Sequence, residues 1–193
     1  MASVDDILTF WFGPPSEPGH TQPRGHWFAR DPAFDAECAR RFLDTYEKAA
    51  AGELRAWSDE PRSCLALLLL LDQFPRNLFR GSPRAFATDA QAREVARRAL
   101  ARGLDVSLPP VWRWFFYLPF EHSEDLQDQR LAVSLFEALA SGNDPTAAEP
   151  LKYARRHHDI IARFGRFPHR NAVLGRESTP EEAAFLQEPG SSF

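Results

Sequence analysis

Cysteine is scarce in this 193-residue chain: Cys38 and Cys64 are the only two, and neither sits in a metal-ligand or redox spacing. A reduced, cytoplasmic compartment is the expectation. Long apolar runs are missing as well. The longest, Leu65 to Leu71, is far too short to cross a bilayer. The first residues show no basic stretch leading into an apolar one, so neither a signal peptide nor membrane attachment is expected. Lysine is nearly absent: of 23 basic residues, all but Lys48 and Lys152 are arginine. Arginine forks grip carboxylate or phosphate in bidentate fashion, although GC-rich coding is the simpler source of the bias. The net charge of −4 gives no general attraction to nucleic acid or an anionic membrane. There is no Gly-rich phosphate loop, no dinucleotide fingerprint and no GxSxG elbow, so no cofactor is expected.

Strand signals are equally sparse, because no stretch alternates convincingly and β-branched residues are few. Helix starts are plain. Asp31-Pro32, Glu60-Pro61 and Thr179-Pro180 each set an acceptor before a proline, whose missing N–H costs nothing at the first helical position. Thr88 to Gln91 and Thr179 to Glu182 have the spacing of capping boxes. Gly52, Gly103, Gly142 and Gly165 sit where helices should stop. The spacing predicts helices near 4–12, 32–51, 61–73, 88–102, 110–118, 123–141, 147–164 and 180–187. Two segments, Leu65–Leu71 and Trp112–Leu118, are apolar on every side and must be covered on every side. With 44% hydrophobic residues and no dividing linker, residues 1–193 form one all-α domain. Trp11, Phe12, Trp27 and Phe28 are expected to fill its core.

Two segments mix histidine, carboxylates and arginine with large aromatics: Phe116 to Asp125, and His157 to Asn171. That mixture suggests a polar pocket in an apolar wall. Ser123 is placed as an N-cap, which sets Glu121 and His122 just before a helix. A histidine beside a glutamate can be tuned toward neutral pH for proton transfer, or can close a core hydrogen bond. At 100° per residue, His157 shares the core stripe with Tyr153, Ile160, Ile161 and Phe164. His158 points elsewhere, and Arg155, Asp159 and Arg163 form an i, i+4 ladder. The loop Gly165 to Asn171 crowds Arg166, His169, Arg170 and Asn171 together. The two arginines either clamp an anion or pair with Glu177 and Glu181. Asp72 ends the leucine-rich helix, with Arg76 and Arg80 as its nearest counter-charges. It is either half of a buried ion pair or a second carboxylate facing the histidine loop.

The motifs Ile7-Leu8-Thr9-Phe10-Trp11-Phe12, His26-Trp27-Phe28, Leu71 to Gly81, Tyr117 to Asp125 and His158 to Glu182 resemble a bacterial family, domain-of-unknown-function family nine-two-four. The resemblance covers nearly the whole chain. It implies a TPR-like helical fold and gives no activity.

The expectation is a site for a small anionic molecule, with hydrolase-like acid–base chemistry. His122, His169 and Glu121 would be the catalytic groups. His158, Arg166, Arg170, Asn171, Arg76 and Asp72 would bind, the last two from behind. No resident metal is expected. One alternative is a non-enzymatic module holding a peptide or protein partner. A lesser one is metal-dependent phosphohydrolysis, from the order His122, then His158-Asp159.

Overall fold

A computed structural model describes residues 1–142 and 145–191. Among them lie nine α-helices and no strand. They are α1 (Val4–Phe12), α2 (Pro32–Ala50), α3 (Pro61–Leu68), α4 (Phe74–Leu78), α5 (Asp89–Ala101), α6 (Pro110–Glu121), α7 (Leu126–Ser141), α8 (Ala148–Phe164) and α9 (Pro180–Phe185). Short 3-10 turns fill several connections. No helix among the described residues is long and apolar enough to cross a membrane.

The local signals act as the chemistry dictates. The Asp31 carboxylate accepts hydrogen bonds from the Ala33 and Phe34 amides, and Pro32 opens α2. Thr179 and Glu182 cap α9 reciprocally. Gly165 closes α8 with a φ of 69°, the left-handed turn that glycine adopts at least cost. Position 123 differs from expectation. Asp125 is the cap of α7, its carboxylate accepting from Gln127 and Asp128, while Ser123 donates to Asp128. Glu121 and His122 therefore finish α6.

Two helices are wrapped on all sides. From Leu65 to Leu71 no side chain is more than 3% exposed. α6 buries Trp112, Trp114, Phe115, Phe116 and Tyr117, and packs against α3, α5, α7 and α8. Each buried side chain of that size contributes about 1.5–3 kcal/mol. Trp11, Phe12 and Trp27 join this core, and the Trp27 indole donates to the Trp11 carbonyl at 2.8 Å. Phe28 does not, being 64% exposed. Tyr153 also leaves the predicted core stripe for solvent. Cys38 and Cys64 are free thiols within the core, and burial pushes each up to about 12. A smaller core of Ile160, Ile161, Phe167 and Phe185 anchors the loop after α8.

The leucine-rich helix runs past its expected end at Gln73. It passes through a π-helical turn, Leu69–Gln73, and continues as α4. Pro75 supplies the reason. It has no N–H for the Leu71 carbonyl, and its ring crowds that oxygen. In the wider turn the Phe74 amide reaches back to the Leu69 carbonyl. The Leu71 carbonyl accepts from the Thr88 hydroxyl at 2.6 Å instead, and the Asp72 carbonyl accepts from the Arg76 guanidinium. This corrects the expected Thr88–Gln91 capping box. Thr88 precedes α5 but serves the π-turn, and Gln91 bonds the Ala49 carbonyl at 3.0 Å.

Thr88→Val keeps the shape and leaves a buried carbonyl unpaired, so it should cost about 1–3 kcal/mol in urea unfolding. Thr88→Ser should recover most of that loss. Equal losses in both variants would show that the hydroxyl contributes nothing.

Candidate functional site

An open cleft of about 380 Å³ lies where the start of α5, the end of α6 and the loop after α8 meet. Phe86, Asp89, Arg93, His122, Glu124 and Arg170 are among its walls. No Ser, Thr or Cys lines it among the described residues.

At its floor, the fully buried Asp72 accepts a hydrogen bond from His122 Nδ1 at 2.7 Å. The Gln73 amide donates to the other carboxylate oxygen at 2.5 Å, and Arg76 stands 3.6 Å away. Burial alone would push this carboxyl up. The His122 ring and the Arg76 guanidinium, with the hydrogen bonds from His122 and Gln73, outweigh it and hold Asp72 below the usual carboxylate range. Burial, aided by Arg76, pushes His122 down against the pull of Asp72. A neutral ring still donates from Nδ1 to the carboxylate. The tautomer is thereby fixed, and Nε2 is left as the acceptor atom of a side chain that lines the cleft.

Arg170 faces the same space from the other side. It is 7% exposed, and its guanidinium packs against the rings of Phe86 and Phe167, 4.7 and 4.4 Å from their centroids. Its nearest carboxylate, Asp89, is 3.7 Å from Nη1, beyond hydrogen-bonding reach. Asp89 is already gripped by both Arg76 Nη atoms at 3.0 and 3.1 Å. Among the described residues no acceptor takes an Arg170 N–H, and Nε is buried without a partner. Burial, then repulsion by Arg76, brings this guanidinium down to about 10, so it stays charged at neutral pH.

A family model described as "Bacterial protein of unknown function (DUF924)" matches residues 7–190. The chain belongs to this family. A solved structure of a protein of unknown function from Agrobacterium tumefaciens is similar to it, at 43% identity and a TM-score of 0.84. That match covers 95% of this chain and 96% of the other. No curated protein matches. The family is the one the sequence motifs resemble.

In this DUF924 chain the expected cluster divides. His122 and Arg170 line the cleft, with Asp72 and Arg76 directly behind. Arg80 does not serve Asp72; it holds Asp35 with two hydrogen bonds. Glu121 sits one helical step from His122 and turns toward α8, where its Oε1 is 3.1 Å from His157 Nδ1. His169 packs its ring on Phe167 and does not line the cleft; burial, then Arg170, pushes it down to about 4. Arg166 is held by both carboxylate oxygens of Glu182 and by the Glu177 carbonyl. Asn171 joins that network through Ser178, Glu182 and Arg176. His158 pairs with Asp159, which is 81% exposed, so the expected ladder from Asp159 to Arg155 and Arg163 does not form. Arg155 goes to Glu137 and Arg163 to Glu181. Among the described residues no three His, Cys, Asp or Glu side chains converge as metal ligands.

Several residues were hidden in the sequence behind ordinary roles. Asp89 lies inside the expected Thr88–Gln91 box with no role of its own there, yet it hydrogen-bonds Arg76 and stands 3.7 Å from Arg170. Glu124 follows the expected Ser123 cap as a first-turn acid, yet Arg176 grips it at 2.7 and 2.9 Å and the Phe167 amide donates to it at 2.8 Å. That clamp sets the Phe167 ring beneath Arg170.

The buried Glu121 carboxyl is pushed up to about 8 by burial and by the charge of Asp72. It is therefore protonated in the fold at neutral pH and ionised in the unfolded chain. Stability from this group is full below the unfolded value of 4.5 and is lost as pH rises toward 8. Glu121→Gln should thus gain on the native protein between pH 5 and 8, by at most about 1.4 kcal/mol per pH unit in urea unfolding. A pH-independent difference would mean that Glu121 is ionised in the fold.

Proposed function

We propose that the cleft binds a small anionic molecule and that His122, oriented by Asp72, is its acid–base group. One observation carries the reading: the Arg170 guanidinium is buried with its Nε unpartnered and its nearest carboxylate out of reach, beside an imidazole that lines the same cleft and is oriented by Asp72. Buried donors left unmatched cost about 1–3 kcal/mol each, more when charged. An anion seated on Arg170 would supply those acceptors. The rings of Phe86 and Phe167 pack against the guanidinium and take none of its hydrogen bonds, which leaves a planar donor fork of the kind that suits a carboxylate or phosphate.

The carboxylate–imidazole pair supports proton transfer. With no hydroxyl or thiol side chain among the described walls, its target is a water or the ligand's own proton. Hydrolysis is the natural class, in which His122 would move a proton between water and leaving group.

The reading is tested by thermal unfolding with sodium benzoate and with inorganic phosphate as probes. At least one should raise the native midpoint by a few degrees at millimolar concentration. Arg170→Met should lose that rise while keeping a native helical circular-dichroism spectrum. No rise with either probe, or an equal rise in the variant, overturns the reading.

A further inference from the structure

We propose that the ligand is a monocarboxylate, bound together with one proton on His122 Nε2. The proposal rests on the reading of the cleft as an anion site and goes further by fixing the ligand's charge and the proton it brings. The argument is one of charge balance. Behind and beside the cleft stand three guanidinium groups, Arg76, Arg170 and Arg176, and three carboxylates, Asp72, Asp89 and Glu124. These six charges balance one another. Arg176 and Arg76 already donate hydrogen bonds to carboxylates, so only the Arg170 edge is unused. One bidentate anion is what that edge accommodates.

A single negative charge set against the buried edge of Arg170 leaves these six groups one charge short. Protonation of one nearby base restores the balance. The groups around His122 identify that base. From its own chain turn come Glu121, a neutral acid at physiological pH, and Glu124, paired with Arg176. From the π-turn and α4 come Asp72 and Arg76; from α5 come Asp89 and Arg93. From α8 comes His157, with ring centroids 6.5 Å apart, and from the following loop comes Arg170. Asp72, Asp89 and Glu124 are ion-paired, and His157 is turned toward the Tyr153 carbonyl and Glu121. His122 lines the cleft and commits Nδ1 to Asp72, which leaves Nε2 as its basic atom. A proton arriving there from solvent leaves an imidazolium between Asp72 and the bound carboxylate. A phosphate dianion would leave a net charge even after that proton is taken up, and would face Asp89 and Glu124 across the cleft. Arg93, the remaining cation on the wall, shares Asp128 with Arg97; the excess positive charge of that trio lies at Arg97, which is 55% exposed and screened by solvent.

In the complex His122 is then an acid, poised to give its proton to the bound molecule. Anion binding and proton uptake are linked, so affinity rises as pH falls. Between the His122 midpoints of the free and the bound protein, carboxylate affinity should drop about tenfold for each pH unit of increase.

Titration calorimetry on the full chain tests this at pH 7.5, in two buffers of unlike ionisation enthalpy, with sodium acetate, sodium benzoate and inorganic phosphate as probes. A carboxylate should bind with uptake of about one proton per ligand and more tightly than phosphate. His122→Asn keeps an amide donor for Asp72 and should bind without buffer dependence. Arg170→Met should not bind. Arg170-dependent binding that favours phosphate, or carboxylate binding without proton uptake, overturns this inference and leaves the anion site standing. Failure of all three probes overturns both.

Discussion

A carboxylate buried at the end of a leucine helix is the constraint around which this molecule is arranged. Asp72 follows seven residues that are packed on every side, so it has no route to water. An unpaired charge there would cost several kcal/mol. The chain meets that demand from three directions: His122 at the end of α6, Arg76 one turn on, and Gln73 beside it. Each partner is then secured in turn. Arg76 is fixed by Asp89 at the start of α5, and the π-turn beneath is closed by Thr88, the preceding residue. Two consecutive residues thus brace the same turn, one through its hydroxyl and the other through its carboxylate.

The arginine richness of the chain takes on meaning in this setting. Most guanidinium groups in the structure have a carboxylate within hydrogen-bonding range, and many of those pairs are exposed and weak. Arg166 and Arg170 lie four residues apart in one loop, yet their situations are opposite. Arg166 is saturated by Glu182 and Glu177. Arg170 has two phenylalanine rings against it and a carboxylate just out of reach. Arginine in general explains solubility; Arg170 combines burial, an unused donor and a place on the cleft wall.

The helices were legible because their signals are local. Prolines, caps and a glycine stop mark most ends within a residue or two, and the two wholly apolar segments announce the buried layer. Pro75 misled for a local reason too: proline reads as a stop, and nothing nearby shows that Thr88, thirteen positions later, will take over the orphaned carbonyl. The site was legible in part. His122, Arg170, Asp72 and Arg76 stood out by residue type and position. Glu121, His169, His158, Arg166 and Asn171 stood out equally, and only folding shows that they turn to other partners. Asp89 and Glu124 were masked because an acid in a first helical turn already has an explanation. Crowding of polar residues in sequence reports that a loop is special, but which of its members share a space depends on tertiary packing.

The two thiols carry a last implication. Cys38 on α2 and Cys64 on α3 lie on separate elements, each with no solvent contact and each held protonated by burial. An alkylating reagent reaches them only when the surrounding helices part. Their modification rates therefore clock the openings of the native state around α2 and α3, against which the breathing of the cleft can be timed.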